Sequence, residues 1–489
     1  MSPSAAILIA LFAPLVGACG VALAHRWPNL RETVTLVTAG LTFAAVAGLV
    51  PEVMAGGRPE TALIDVLPGL SLAFSVEPLG MLFGLVASFL WIVTSIYSIG
   101  YMRGHGERNQ TRFYACFAIA IASAMGVAFA ANLFTLLVYY EVLTLSTYPL
   151  VTHAGTDEAK RGGRVYLGLL LATSVGFLLL AVVWTWQLAG TLDFRPGGIL
   201  RGTAPAGLLG VLLVLYLFGI GKAALMPFHR WLPAAMVAPT PVSALLHAVA
   251  VVKAGVFAVL KVAVYVFGVD LLAELVSTRW MSYVAGATII IASLVALRQD
   301  NLKRRLAYST VSQLSYIVLG ATLGNAWGAV GGAMHIATHA FGKITLFFCA
   351  GAILVASHKT EVSQLAGIGR RMPWTMGAFA VASLSMVGLP PTAGFLSKWY
   401  LLLGTLDGEQ FVAAAVIVVS TLLNASYFLP IVYAAFFRRP AEAGGGHDHG
   451  EAPVSMVVAL TVTAVGTVAL FLFPGTLLEL ARLVVGGSP

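Results

Sequence analysis

The chain has 489 residues, of which 59% are hydrophobic and only 10% are charged. Water-soluble domains carry about 25% charged residues, so this composition excludes a set of soluble domains and indicates a membrane protein. The formal net charge of +8 does not indicate a nucleic-acid partner, because the basic residues are concentrated in the connections between apolar segments.

Apolar runs of about 20 residues, long enough to cross a bilayer as a helix, recur along the whole chain. No cleavable signal peptide is expected, because the first run is followed by span after span. The sequence therefore predicts an all-α polytopic membrane protein. About fourteen spans are predicted, at residues 4–23, 33–51, 77–101, 113–130, 132–151, 165–188, 206–226, 241–265, 280–297, 306–323, 327–356, 374–406, 411–435 and 453–474.

The basic residues alternate between the two sides of the predicted membrane. With the N-terminus outside, most of the 28 Lys and Arg residues lie in the inner connections. Because positively charged loops stay in the cytoplasm, this asymmetry predicts that both termini are on the outer side of the membrane.

The seventh and twelfth predicted spans contain strong helix breakers. The seventh has Gly219, Gly221 and Pro227, and the twelfth has Pro390 and Pro391. Broken helices persist in a membrane only where protein or water satisfies the freed backbone groups. Since the breaks are five spans apart, two five-helix units would run in opposite directions, as in the inverted repeats of transporters. The predicted division is helices 1–3 at 1–111, repeats at 112–266 (helices 4–8) and 279–436 (helices 9–13), and helix 14 at 453–475.

Charged residues inside the spans are the first functional candidates. Those near the middle of a span are Glu141, Lys222, Lys253, Lys343 and Lys398. Each costs about 2.5–3.5 kcal/mol on insertion scales, or roughly 12–18 kcal/mol together, comparable to the whole stability of a typical domain. The cost falls if the charges pair or if a lysine can become neutral, and such a lysine is a proton carrier. We therefore predict a proton relay through these five residues, with Glu141 pairing with Lys222.

Structural interpretations are also open for several lysines and for Glu141. Glu141 could be a fixed partner of a lysine, and Lys222 and Lys398 could cap the ends of broken helices. Lys261, two turns beyond Lys253 toward the outer end of the eighth span, could extend its ammonium to the membrane surface.

Histidines add a second set of candidates. His335 and His339 precede Lys343 at four-residue steps, which places all three on one helix face. Histidines so spaced can share a metal ion, but the cationic neighbour and the lack of a nearby carboxylate favour a proton relay, since histidine titrates near neutrality. His247, six residues before Lys253, is either a further relay member or a core histidine.

Cofactors and metals are not expected. Cys19, Cys116 and Cys349 lie in separate spans, with neither metal-ligand nor disulfide spacing. The His-Asp-His segment at 447–449 could bind a metal, but its glycine-rich and acidic surroundings favour a solvated loop.

Four segments resemble one known family. They are "KAALMPFHRWLPAAMVAPTPVSALLHAVAVVKAGVF" (222–257), "RQDNLKRRLAYSTVSQLSYIVLG" (298–320), "HIATHAFGKITLFFCAG" (335–351) and "GLPPTAGFLSKW" (388–399). Together they resemble the antiporter-like membrane subunit family, which is shared by respiratory complex I, multisubunit Mrp cation/proton antiporters and membrane-bound hydrogenases. The likeness covers roughly residues 75–435.

The resemblance implies a polar axis through the membrane midplane, with half-channels to each side. Glu141 and Lys222 resemble the family's proton-loading pair, and Lys253 resembles its central connecting residue. Lys343, with the two histidines before it, resembles the link along helix eleven, and Lys398 resembles the gate on broken helix twelve.

The resemblance also implies a function and partners. The chain length and its terminal helices best suit the D subunit type of Mrp antiporters, which exchange protons for sodium or another monovalent cation. A proton-pumping subunit of a complex I-like NADH:quinone oxidoreductase or of a membrane-bound hydrogenase is the alternative, and a passive scaffold would not explain the central charges. The expected partners are membrane lipid, other membrane subunits, protons and a monovalent cation, but no nucleic acid.

Overall fold

Helices form most of the computed structural model, which describes residues 2–67, 69–439 and 450–487. The segment 447–449 lies outside these residues. In chain order the long helices are α1 (Pro3–Leu23), α2 (Pro28–Met54), α3 (Pro78–Gly104), α4 (Gln110–Ala128), α5 (Leu133–Val151), α6 (Asp157–Ala189), α7 (Ala206–Gly219), α8 (Thr240–Phe267), α9 (Val276–Arg298), α10 (Leu302–Thr322), α11 (Ala326–Ser357), α12 (Pro373–Val387), α13 (Ala393–Asp407), α14 (Phe411–Phe437), α15 (Val454–Leu472) and α16 (Gly475–Leu483). Shorter helical turns are Gly221–Ala223, Trp231–Ala234, Ala235–Val237, Val269–Glu274, Val362–Gln364 and Ile368–Arg370.

The predicted polytopic all-α class is confirmed. Within the described ranges, 11 helices are long and apolar enough to cross a membrane. Three predicted spans are not among these 11 helices, because their helices are either too short or too polar. Helix α7 has 14 residues and α12 has 15, because the chain breaks there, whereas α10 has 21 residues but carries several polar and basic side chains.

The two predicted helix breaks are confirmed. Helix α7 ends at Gly219, and a single turn at Gly221–Ala223 follows before the chain becomes irregular. The predicted span at 374–406 consists of α12 and α13, separated at Gly388, whose φ of 89° is left-handed. Glycine adopts such a conformation at little cost, which makes it the usual residue at the end of a helix. The inverted repeats and the four-part division stay predictions.

Asparagine caps fix where two of the spans begin. The side-chain oxygen of Asn132 accepts the backbone N–H of Thr135 at 2.8 Å, and that of Asn325 accepts the N–H of Gly328 at 2.8 Å. Such caps satisfy backbone donors that have no partner within the helix. They set the start of α5 and α11, the helices that carry Glu141 and the histidine pair.

Helix α8 lies at the centre of the bundle. Its apolar window is 100% buried inside the protein, whereas the windows of α2, α14 and α15 are 33% buried. Close approach of α8 to the break after α7 depends on Gly255, because a Cβ at this position would lie 2.3 Å from the carbonyl carbon of Lys222. The central helix therefore packs directly against the backbone of one of the candidate lysines.

A β-hairpin is an addition to the predicted all-helical fold. Strands β1 (Glu60–Leu67) and β2 (Leu70–Ser75) pair antiparallel between α2 and α3, with Glu60 opposite Ser75. The hairpin is joined to the end of α4, since the Ser75 N–H donates to the carbonyl of Phe129 at 2.7 Å. A search for apolar runs of membrane length does not detect such short strands.

Candidate functional site

The candidate side chains are enclosed by the bundle. Glu141 is partly accessible, but the buried oxygens of its carboxylate lack a hydrogen-bond partner among the described residues. A buried ammonium or imidazole needs polar neighbours to replace water, so the contacts of each group define what it can do. The buried members are Lys222, Lys253, Lys343, Lys398, His247, His335 and His339.

Lys222 is held by one face of α5. Its Nζ donates to the carbonyl of Tyr140 at 2.8 Å and to Thr144 Oγ1 at 2.5 Å, and it lies 3.1 Å from the centroid of the Tyr140 ring. The Lys222 backbone N–H also donates to the Tyr140 hydroxyl at 3.0 Å. The break after α7 therefore presents both the amine and the backbone of Lys222 to α5.

The predicted direct pair between Glu141 and Lys222 is not found in the described part of the chain, where no ion pair within 4.0 Å joins them. The reason is helical geometry. Tyr140 and Thr144 are four residues apart and share a face of α5, whereas Glu141 is rotated by about 100° from Tyr140. Glu141 is therefore a neighbouring charge of Lys222 and not its hydrogen-bond partner.

Lys253 and His339 form the contact between α8 and α11. Lys253 Nζ donates to His339 Nδ1 at 2.6 Å. The rings of His335 and His339 stack with their centroids 5.8 Å apart, which confirms that the two histidines share one helix face. His335 Nδ1 lies 2.8 Å from Ser397 Oγ and its Nε2 lies 3.0 Å from Gln313 Oε1. With both ring nitrogens of His335 so occupied, the pair is not arranged to share a metal ion.

Lys343 points away from the histidines, toward α10 and α14. Its Nζ donates to Ser309 Oγ at 2.8 Å, and the same oxygen lies 3.2 Å from the hydroxyl of Tyr427. The Tyr427 hydroxyl also donates to the side-chain oxygen of Asn424. The predicted face at 335–343 is therefore divided, with the histidines facing one set of partners and the lysine facing another.

Gln313 connects these groups to the break between α12 and α13. Its Nε2 contacts Asn424 Oδ1 at 3.3 Å and the carbonyl of Met386 at 3.4 Å, while its Oε1 faces His335. The Met386 carbonyl also accepts a hydrogen bond from Lys398 Nζ at 2.9 Å. A polar chain, the Gln313 chain, therefore runs without interruption from one buried lysine to another. Its members are Lys343, Ser309, Tyr427, Asn424, Gln313, the Met386 carbonyl and Lys398.

Lys398 also caps the break itself. Its Nζ donates to the carbonyls of Met386 and Val387, each at 2.9 Å, and these are the last carbonyls of α12. Such carbonyls have no partner within the helix and carry partial negative charge. Capping and membership of the polar chain are therefore compatible roles for Lys398.

The neutral members of the Gln313 chain were missed by sequence reasoning. Gln313, Asn424 and Ser309 are completely buried, and a buried amide needs hydrogen-bond partners much as a charge does. An amide side chain inside an apolar span is the signal that could have found them. A search restricted to charged and histidine side chains overlooks it.

His247 does not join the other candidates. Neither of its ring nitrogens has a hydrogen-bond partner among the described residues, and its ring lies 4.7 Å from that of Phe347. It is thus neither a satisfied core histidine nor a bonded member of the Gln313 chain in this arrangement.

Lys261 does not reach the membrane surface, so the snorkelling interpretation is wrong. Its side chain is 1% exposed, its Nζ lies 3.0 Å from Glu77 Oε1, and it donates to the carbonyl of Ala130 at 2.7 Å. The end of α4 and a carboxylate supply partners inside the protein, so the amine has no need to extend outward.

The fold and the site together define a class: polytopic helical membrane proteins with interrupted helices and ionisable residues inside the bundle. The family model described as NADH:quinone oxidoreductase/Mrp antiporter, transmembrane, matches residues 130–424. NADH-quinone oxidoreductase subunit N of Desulforudis audaxviator is 35% identical over 458 residues, which cover 90% of this chain and 89% of that protein. The chain belongs to the NADH:quinone oxidoreductase/Mrp antiporter family.

Two further proteins show the breadth of this family. A probable K(+)/H(+) antiporter protein of Rhizobium meliloti is 33% identical over 413 residues, which cover 81% of this chain but only 40% of that protein. In the Mrp complex from Dietzia sp. DQ12-45-1b, one chain has a TM-score of 0.87 and 25% identity, covering 99% of this chain and 97% of that one. These relatives are subunits of multisubunit membrane complexes, and this chain is a multi-pass membrane protein of the same kind.

Proposed function

We propose that the chain is a proton-translocating subunit, of the Mrp D type, in a multisubunit monovalent cation (Na⁺)/H⁺ antiporter. The observation that carries the proposal is the Gln313 chain, which links the buried amines of Lys343 and Lys398 through side chains of α10 and α14 and a backbone carbonyl of α12. Buried ionisable residues are costly in a membrane and typically mark ion and proton pathways.

The groups along the Gln313 chain divide into carriers and positioners. Each amine can hold or release a proton, and the hydroxyls of Ser309 and Tyr427 can accept one proton while donating another. The amides of Gln313 and Asn424 do not titrate, so they orient the hydroxyls and His335. Neither these amides nor the backbone carbonyl of Met386 can pass a proton on, so water alongside them would carry the proton between Tyr427 and Lys398.

Two shorter groups extend the proposed path toward the seventh helix. Lys253 exchanges a proton with His339 across their 2.6 Å contact, and the stacked ring of His335 then leads to Gln313. Lys222, with Glu141 beside it, receives the proton at the other end. Water would bridge Lys222 to Lys253, because no direct hydrogen bond joins the two among the described side chains.

A second candidate is a proton-pumping subunit of a complex I-like NADH:quinone oxidoreductase. The 35% identity with an oxidoreductase subunit N, at 89% coverage of that protein, favours it. The same relay would then be driven by redox chemistry in partner subunits. Purification of the native complex separates the two candidates, since dehydrogenase subunits copurify only in the second case.

The proposed setting is a prokaryotic inner membrane with both termini outside. The proposed inverted repeats at 112–266 and 279–436 would then run in opposite directions, so that the two broken helices meet near the midplane. Impermeant thiol reagents applied to single cysteines, introduced at the termini of a cysteine-free variant, report this orientation. Labelling of both termini in intact cells is expected, and labelling only after lysis would contradict it.

Exchange in inverted membrane vesicles tests the proposed function. We expect Lys398→Met to reduce Na⁺-dependent proton movement about 100-fold, the usual scale for loss of a positioned proton-transfer group. Lys160→Met is the matched control, because the Lys160 side chain is 62% exposed in a surface ion pair. Native gels verify that each variant assembles. Full exchange by an assembled Lys398→Met complex would contradict the proposal.

A further inference from the structure

A buried ion pair lies outside the proposed relay, at the end of the bundle that carries the β-hairpin. It joins Lys261 of α8 to Glu77, the residue before α3, with 3.0 Å between Nζ and Oε1. Both side chains are buried. Lys261 is eight residues beyond Lys253, about 12 Å along the helix, so this pair is a separate group.

The ammonium of Lys261 sits among oxygen atoms. Besides Glu77, its nitrogen faces the carbonyls of Ala130 at 2.7 Å and Ala128 at 3.5 Å. Ala128 is the last residue of α4 and Ala130 lies two residues beyond it, at the helix end where the aligned peptide dipoles favour a positive charge. The Glu77 carboxylate and these two carbonyls together form an oxygen cage around the amine.

The backbone is shaped to bring the oxygen cage together. A Cβ at position 80 would lie 2.4 Å from the carbonyl oxygen of Ala128 and 2.7 Å from Glu77 Oε2, so only Gly80 permits both to approach. Glu77 Oε2 has no hydrogen-bond partner among the described residues. The cage therefore retains a free carboxylate oxygen beside the one that faces Lys261.

A water-accessible cavity leads to the oxygen cage. It has a volume of 470 Å³, and both Glu77 and Lys261 line it. Its wall also includes Asp193 and Arg195, whose side chains are 56% and 61% exposed, so the cavity reaches the protein surface. An ion from solution has a route to the buried pair that does not pass through the Gln313 chain.

We propose that the oxygen cage is an exchange site at which an alkali cation of the Na⁺ class replaces the proton of Lys261. Carboxylate and carbonyl oxygens are the ligands that hard cations prefer, and one carboxylate balances one positive charge, which favours a monovalent ion. The inference deepens the proposed antiport function and rests on it, because it names the site of the exchanged cation.

The exchange conserves charge. The Lys261 ammonium loses one proton to water in the cavity, and the alkali cation takes its place between Glu77 Oε1 and the Ala130 carbonyl. One positive charge leaves the cage and one enters, so the negative charge of Glu77 stays balanced throughout.

The other charged or titratable groups that face the pair are Arg58, Glu60, Asp193, Arg195 and Tyr265.

Proton release on Na⁺ addition tests the site. The purified complex in weakly buffered detergent solution is titrated with NaCl, a pH indicator reports released protons, and choline chloride is the non-binding reference. We expect one proton per bound Na⁺, and an apparent Na⁺ affinity that rises about tenfold per pH unit while Lys261 is protonated. No Na⁺-specific proton release from the unaltered complex would overturn the proposal.

Variants assign the proton to its residue. Lys261→Met is expected to bind Na⁺ with a pH-independent affinity and to release no proton. Lys261→Arg keeps the charge and cannot lose its proton, so it should neither bind Na⁺ nor release a proton. This variant tests the site even if the other variants fold poorly. Lys160→Met, in an exposed pair with Asp157, should behave like the unaltered protein. Unchanged proton release from Lys261→Met would overturn the proposal.

The site and the proposed function can fail separately. In the Lys398→Met complex, Na⁺ should still release the proton, because the oxygen cage does not contact the Gln313 chain. The oxygen cage is supported if proton release is lost only in variants of Lys261 and Glu77. Glu77→Gln should also lose Na⁺ binding. Loss of transport in Lys398→Met bears on the relay alone.

Discussion

The two broken helices hold their lysines in different ways. Lys398 donates to carbonyls that the break after α12 itself leaves free. Lys222 instead donates to groups of the intact neighbouring helix α5, with Glu141 one residue away from its carbonyl partner. A break can therefore either supply the partners of a buried charge or present that charge to another helix.

This difference has a consequence for proton affinity. The carbonyls around Lys398 are fixed dipoles of one helix end, so its environment changes only if the break moves. The partners of Lys222 instead lie on the neighbouring helix α5, which also carries the Glu141 carboxylate, so they do not depend on the geometry of the break. We infer that Lys222 is the more readily switched of the two amines.

Removal of the Glu141 charge should have the largest effect on exchange. Glu141→Gln keeps the size of the side chain but removes the charge that acts on Lys222, so we expect about a 100-fold loss of exchange in vesicles. Glu158→Gln is a matched control, because Glu158 is an exposed residue in the first turn of α6. Exchange that survives in Glu141→Gln would show that the Lys222 region is no more switchable than the Lys398 region.

Distortion of the break after α12 should have an intermediate effect. A Cβ at Gly388 would lie 2.7 Å from Lys398 Cδ, and the φ of 89° strains any other residue. We expect Gly388→Ala to lower the free energy of unfolding by about 1–3 kcal/mol, measured by thermal unfolding in detergent. Gly377→Ala on the same helix meets nothing within 4 Å and should not destabilise. Equal stability of the two variants would contradict a break built around Lys398.

Loss of one hydrogen bond at Lys222 should have the smallest effect. Thr144→Val removes the hydroxyl that accepts from Nζ but leaves the Tyr140 carbonyl and the ring in place. A single hydrogen bond contributes about 0.5–1.5 kcal/mol, so exchange should fall only severalfold. Thr33→Val is the control, because Thr33 contacts only the backbone of its own helix at an exposed site. A complete loss in Thr144→Val would mean that the charge of Glu141 is not the main influence on Lys222.

Bilayer physics made much of this architecture predictable. Span length follows from membrane thickness, and the breaks follow from Gly219, Gly221 and the Pro390–Pro391 pair, since these residues interrupt helices wherever they occur. The cost of a buried charge was enough to select Lys253 and Lys343 as candidates. The spans, the breaks and the buried charges depend only on residue type and position, and both can be read from the sequence.

The partner of each candidate could not be predicted, because it depends on how helices rotate and pack. His339 and Lys343 are one turn apart, yet the first meets Lys253 and the second meets Ser309. The position of Lys261 in its span favours the membrane surface, yet its amine pairs with a carboxylate from another segment. Spacing along one helix identifies a shared face but does not reveal what that face meets.

A double-mutant cycle shows whether the Gln313 chain works as one connected path. Exchange is measured in vesicles for Ser309→Ala, Gln313→Leu and the combination, with Gln187→Leu on the exposed face of α6 as the control. Residues in one network are non-additive, so the double variant should lose little more than Gln313→Leu alone. Fully additive losses would show that Ser309 and Gln313 act independently, and would contradict a continuous path.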